Sequence, residues 1–280
     1  MPPPPTSNLR VVKYAQGWGY AASEWERALG AIDWSKPHTE GGPERLKIKT
    51  LPDGTKDATV WRATLTLGRR EHEVVLKVER LGSLRKKIQA WLHRTKAFRQ
   101  WRGARLLTRS GLRTASAHAV LRSGGFETLV LESIPGRTVL ELMADPTVPV
   151  RLEHRVASAL GALIGECHRA GVYSADMKPS NLIDIDEGRR GIAIIDSTDV
   201  RRGVDPARQL FDLLVEPAGL GLVPRSTLRH RVVGSLWANG LDRGWGPDRK
   251  HAERDLARGV KRRLRAHGDP TPKDDPLARG

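Results

Sequence analysis

Cysteine is all but missing from this chain of 280 residues, in which Cys167 is the only one. A lone thiol excludes an internal disulfide framework and fits a reducing compartment. Because Cys167-His168 closes an apolar, helix-like stretch, the thiol reads as packing rather than as a nucleophile. Long apolar runs are missing as well: no uncharged stretch approaches the ~20 residues that a bilayer-spanning helix needs. After Met1 come the prolines 2–5 rather than a basic segment with an apolar run behind it, so no secretory signal is expected. Negative charge is in short supply, with 48 Lys and Arg against 32 Asp and Glu, a formal +16. Such an excess attracts anionic partners from a distance, whether a nucleotide, a phosphorylated glycan, an anionic membrane face or a nucleic acid. The imbalance is sharpest in residues 81–113, which hold ten Lys or Arg and no carboxylate.

What is present concentrates in one short stretch. Asp176 and Asn181 lie in Tyr173-Ser174-Ala175-Asp176-Met177-Lys178-Pro179-Ser180-Asn181-Leu182-Ile183, and Asp196 follows in Ile194-Ile195-Asp196-Ser197-Thr198. An aspartate five residues before an asparagine is the spacing of a kinase catalytic loop, in which the first accepts the proton of the acceptor hydroxyl and the second holds magnesium. Asp196 then has the place of the other metal ligand. Residues 182–185 and 191–195 read as two short strands joined by the polar turn 187–190, and such a hairpin brings Asn181 and Asp196 side by side. Two oxygen ligands suffice for magnesium, which keeps waters and takes the rest from phosphates. The competing reading is a polar turn and hairpin whose aspartates are merely solvated.

Residues 1–43 read as a proline-rich, partly disordered extension carrying Trp18, Trp25 and Trp34. Residues 44–133 read as one lobe, with antiparallel strands over 46–50, 59–67 and 72–78, a helix over 95–110, and strands over 117–122 and 127–132. In that helix Phe98, Trp101, Ala104 and Leu106 are the expected buried side. The third strand ends Val74-Val75-Leu76-Lys77-Val78, and a lysine within an apolar strand calls for an anionic partner such as nucleotide phosphates, or else an exposed strand face. Residues 134–267 read as a mostly helical lobe: a linker at Ser133-Ile134-Pro135-Gly136, a long helix over 150–170, then the loop and hairpin, then helices over 206–215, 226–238 and 250–267. The linker backbone is where an adenine edge would bond. Residues 268–280 read as a disordered tail. The fold class expected is α+β and bilobal, a small antiparallel sheet beside a helical lobe.

The order of strand lysine, basic helix, linker, long helix, Asp-x-Lys-Pro-x-Asn, hairpin and Ile-Asp is that of the protein-kinase-like fold. In detail the chain resembles the Kdo/WaaP family of lipopolysaccharide kinases over roughly residues 45–240. The likeness is carried by Val75-Leu76-Lys77, by the helix and turn from Phe98-Arg99-Gln100-Trp101 to Gly111-Leu112, by His168-Arg169-Ala170-Gly171-Val172-Tyr173, by the Asp176 to Asn181 loop and by Ile194-Ile195-Asp196. The resemblance implies transfer of the γ-phosphate of ATP to a sugar hydroxyl of the lipopolysaccharide core, in the cytoplasm or at the inner membrane face. It implies Asp176 as base, Lys178 on the transferred phosphoryl group, and Asn181 and Asp196 on Mg2+. Lys77, Glu132 and Gly54 are the nucleotide-contacting residues it implies. Three positions depart from the pattern: the loop 51–58 has only Gly54, Gln100 stands where a glutamate is expected, and Ser197-Thr198 replaces Phe-Gly.

Motifs for ATP and magnesium do not fix the acceptor, which is a core sugar or glycolipid, a small alcohol such as an aminoglycoside, or a protein Ser/Thr. A different class of reading is a binding module: a pseudokinase that holds nucleotide, or a nucleic-acid binder using the basic stretch with Trp91 and Trp101. Nucleic acid ranks below the kinase readings, because those tryptophans serve a helix core equally well. Residues 250–267 set Leu256, Val260 and Leu264 on one face among Arg254, Arg258, Lys261, Arg262, Arg263 and Arg265, which suggests, with 81–113, a surface for anionic lipid. The plainer alternative is a solvated helix packed by a thin apolar stripe.

Overall fold

The computed structural model of the chain describes residues 9–14, 17–22, 25–26, 29, 46–50, 58–67, 69–222, 226–239 and 249–268. The chain is α+β and divides into two compact units, the first made of residues 1–105 and 115–133 and the second of 106–114 and 134–280. The division falls after Ser133, and residues 106–114 belong with the second unit.

Among the described residues, the first unit is built on seven antiparallel strands: β1 (Leu9–Tyr14), β2 (Gly17–Ala22), β3 (Leu46–Thr50), β4 (Ala58–Leu67), β5 (Arg70–Arg80), β6 (Ala117–Ser123) and β7 (Phe126–Glu132). They lie in the order β1-β2-β6-β7-β5-β4-β3. The five later strands are those expected. The first two are a correction to the reading of 1–43 as an extension: β1 pairs with β2, which in turn pairs with β6. The segment hides its strand character because β2 is glycine- and alanine-rich, which lowers strand propensity. The small residues have a packing reason: a Cβ on Gly19 would collide with the Val120 carbonyl of the neighbouring strand. Trp25 and Leu29 are buried with Ala21, Leu65, Val74, Leu76, Leu121 and Val130 in one apolar cluster, so this early segment covers the sheet.

Strand β5 alternates as a half-covered strand must, with Val74, Leu76 and Val78 buried in that cluster and Val75 and Lys77 on the other side. The helix Lys96–Arg109 starts at Thr95, whose hydroxyl accepts the Phe98 N–H at 3.3 Å. It buries Phe98, Gln100, Trp101, Ala104 and Leu107; Leu107 and not Leu106 completes the apolar side. Tyr20 of β2 meets Phe98 edge-on and stacks on Trp101. Arg122 lies 4.8 Å over the Phe98 ring while its Nε donates to the buried Glu127 at 2.7 Å. Burial drives the Glu127 carboxyl above its ordinary range, against the bonds from Thr95 and Arg122.

In the second unit the helix Val150–Arg169 buries Val156, Leu160, Leu163, Ile164 and Cys167 and lies against the helix Ser226–Asn239. Close contact is possible because Gly161 has no side chain: a Cβ there would strike the Val232 carbonyl. Cys167 packs in the apolar core, and burial drives its thiol up to about 12, so it is the packing residue expected. Among the described residues, β8 (Arg137–Thr138), β10 (Leu182–Asp184) and β11 (Ile192–Ile194) make a three-stranded sheet, and β9 (Val172–Ser174) pairs with β12 (Val200–Arg202). The helices Pro206–Gly219 and Arg249–His267 complete the unit. Leu256 is buried, with Val260 packed against the same core, and Arg263 pairs with Asp205. Two of the three apolar residues expected on the last helix, Leu256 and Val260, thus pack into the unit's core. Among the described residues no helix is long and apolar enough to cross a membrane.

Candidate functional site

The expected site residues fall in both units, and each set has its own geometry. In the first unit Lys77 is half-buried on β5, and its Nζ donates to Gln100 Oε1 at 3.0 Å. The register and the helix position explain the meeting: Lys77 points away from the apolar cluster, and Gln100 sits on the buried side of Lys96–Arg109. An amide thus occupies the place where the resemblance expects a carboxylate. Glu132 ends β7 exposed; its N–H donates to Ser116 O at 2.8 Å and its Oε2 accepts from Ser116 N at 3.2 Å. The Ser133 N–H donates to Glu73 O at 3.0 Å. Those two main-chain donors are used within the first unit. Gly54 lies outside the described residues.

In the second unit the sequence builds the loop by a chain of local stops. The helix Val150–Arg169 ends at Gly171, whose φ of 64° suits a residue without a side chain, and its N–H caps His168 O at 3.1 Å. Strand β9 then leads to Asp176, Pro179 opens the short turn Pro179–Asn181, and β10 follows at once. Asn181 Nδ2 donates to both Asp176 O and Asp176 Oδ2 at 3.1 Å. Lys178 Nζ lies 2.8 Å from Asp176 Oδ1, and that bond holds the ammonium above its ordinary range. Three of the residues singled out in the sequence are therefore in one hydrogen-bonded cluster. The fourth, Asp196, follows β11; Ile195 N–H donates to Asn181 O at 2.9 Å, so the expected hairpin does bring Asp196 and Asn181 onto neighbouring chains. Asp196 Oδ1 accepts from Thr198 N at 3.0 Å and Thr198 Oγ1 at 2.6 Å.

Residues that sequence reasoning missed hold this loop. Asp212 is buried on the helix Pro206–Gly219; its Oδ2 accepts the Met177 N–H at 3.2 Å and its Oδ1 lies 2.9 Å from Arg208 Nε. Arg208 Nη2 donates to Ala175 O at 3.0 Å. Glu216 accepts from Ser180 twice, from the N–H at 2.9 Å and from Oγ at 2.6 Å. Burial pushes the Asp212 carboxyl up and Arg208 pulls it down, with burial the larger. Arg208, Asp212 and Glu216 recur every four residues in an apolar helix, which puts them on one face. That spacing was the available signal.

In comparison with known proteins, no protein-family model matches the chain and no curated protein does. Among the described residues no group of three or more His, Cys, Asp or Glu is placed to hold a metal ion. A magnesium ion asks for less when phosphates supply the rest. With Asn181 Nδ2 turned to Asp176, the amide offers Oδ1 as its oxygen, and Asp196 offers a carboxylate just beyond β11. Both are hard oxygen donors, so the residues fit the ion.

Proposed function

We propose that the protein is an ATP-dependent phosphotransferase acting on a hydroxyl. The observation that carries this reading is the cluster of Asp176, Lys178 and Asn181 on a loop tied by its backbone to Asp212. In the proposed step the acceptor oxygen attacks the γ-phosphorus, the bond to the β–γ bridging oxygen breaks, and ADP leaves. The acceptor proton passes to a carboxylate oxygen of Asp176. Lys178 offers its ammonium to the transferred phosphoryl group and holds the Asp176 carboxylate in place. Magnesium held by Asn181 Oδ1 and Asp196 would supply charge neutralisation on the phosphate oxygens. Lys77, steadied by Gln100, would take the α- and β-phosphates. The acceptor supported by the family resemblance is a sugar hydroxyl of a lipopolysaccharide core.

A second reading, nucleotide binding without transfer, draws on the neutral amide beside Lys77 and on the departure from Phe-Gly after Asp196. Incubation of purified protein with γ-labelled ATP and a panel of core glycans, aminoglycosides and a generic protein substrate separates the two. Label on a glycan supports the proposal, and label on another acceptor redirects it. Thermal stabilisation by Mg-ATP with no labelled product supports the second reading. Asp196→Ala should abolish the magnesium-dependent part of that thermal shift.

A further inference from the structure

The helix Leu84–Trp91 turns its apolar side to solvent. Leu84 is 75% exposed, Ile88 49%, Trp91 78% and the adjoining Leu92 42%. At 100° per residue these four lie within about one third of the helix circumference, with Arg85 and Lys87 bordering them on either side. The opposite side is the one that docks: Ala90 is buried, and Lys86 Nζ lies 3.1 Å from Glu79 and donates to Arg80 O at 3.3 Å. The helix is thus fastened by a polar contact and presents its hydrophobic stripe outward, the reverse of an ordinary surface helix. Beside it lies a basin of about 940 Å³ lined by Arg85, Lys86, Arg94, Lys96, Arg99 and Arg102. Glu79 is the carboxylate among its described lining residues, and it is paired with Lys86.

We propose that this face of the first unit is a docking surface for an anionic phospholipid bilayer. Leu84, Ile88, Trp91 and Leu92 enter the boundary between headgroups and acyl chains, and the cationic basin receives lipid phosphates. Apolar insertion and basic attraction at one place are the two requirements of an interfacial helix. A second copy of the chain fits less well, because the same cationic face on both partners would repel. A single strand of nucleic acid fits less well too. Three of the four exposed side chains are aliphatic and have no base to stack on, and Trp101 is buried. The proposal rests on the first unit alone and stands apart from the phosphotransferase reading.

Vesicle sedimentation with the full chain tests it. The protein should pellet with phosphatidylcholine vesicles doped with phosphatidylglycerol, remain in the supernatant with phosphatidylcholine alone, and be released by high salt. The double variant Ile88→Ser/Trp91→Ser should lower the partition coefficient about tenfold or more, with an unchanged melting temperature because both side chains are exposed. Trp91→Phe should retain binding. Arg94→Glu/Arg99→Glu should erase the preference for anionic vesicles. Three results would overturn the proposal: equal recovery in every supernatant, salt-sensitive capture of a single-stranded oligonucleotide without vesicle binding, or a concentration-dependent dimer dissolved by the serine variant.

Discussion

The loop bearing Asp176 and the strand bearing Lys77 are held in different ways. In the second unit a buried carboxylate, an arginine and a glutamate from one helix fasten the loop backbone at Ala175, Met177 and Ser180. In the first unit Lys77 is met by the neutral amide of Gln100. Buried charge that is paired and hydrogen-bonded fixes a backbone firmly, since moving it strands a carboxylate in an apolar setting. An amide exacts far less when its partner moves. The loop is therefore built as a fixed platform, and the lysine as an adjustable arm.

The largest effect expected is on the platform's own chemistry. Asp176→Asn should lower turnover about 10²- to 10⁴-fold, the usual contribution of a general base, while ATP affinity and melting temperature stay nearly constant. A parallel loss of ATP affinity would make Asp176 a binding residue instead. Next comes a difference between the units in acid. Burial first, and then the charge of His72, lowers the pKa of His118 from 6.5 to about 4, and the ring stacks on Trp25 at 3.9 Å. A base with a depressed folded pKa gives stability that is complete above its unfolded value and lost as pH falls towards the folded one. Between pH 6.5 and about 4 the first unit should lose about 3 kcal/mol through this group. Melting curves of His118→Gln should be flatter over that window, and an identical slope would show that His118 takes up its proton in the folded protein over the same range as in the unfolded chain.

The anchors themselves come third. Asp212→Ala leaves the Met177 N–H and Arg208 Nε without their acceptor and should cost about 2 kcal/mol. Denaturant melts measure that cost, and a turnover loss accompanying it in Asp212→Asn, which keeps an acceptor for Met177, would tie the buried charge to loop placement. No change in either quantity would mean that Glu216 and the Arg208 bond to Ala175 O hold the loop without Asp212.

Much of this was readable in the sequence because it rests on short-range rules. Alternation fixed β5, a helical stripe fixed Val150–Arg169, and the Asp176 to Asn181 spacing with its hairpin put those two residues and Lys178 in contact. Gln100 was legible too, since one amide stands in a basic helix at the right distance along the chain. What escaped was long-range. Strand β2 pairs with β6 about a hundred positions away, and its Gly19 serves a close backbone contact that no local pattern announces. Asp212 looked like one polar residue in an apolar helix until its partner 35 positions earlier was in place. The outward stripe of Leu84–Trp91 has the same periodicity as an inward one, because an amphipathic pattern says which residues share a face and not which way the face turns.

The smallest expected effect is the sharpest test of the comparison. Lys77→Met keeps the apolar stem along β5 and removes the ammonium, so the bond to Gln100 Oε1 is lost on a half-buried strand face. A hydrogen bond of this kind contributes about 1 kcal/mol net, roughly half the cost set above for Asp212→Ala. Stability should therefore drop slightly while ATP affinity, read by thermal shift with Mg-ATP, drops severely if Lys77 meets the phosphates. Gln100→Glu supplies the complement: a carboxylate in place of the amide would bind the lysine more tightly, and the burial of Gln100 would make that charge costly if Lys77 were absent. The double variant Lys77→Met/Gln100→Glu should then be less stable than the sum of its single changes. Additive energies would mean that Lys77 and position 100 do not share an interaction, and the adjustable arm would lose its basis.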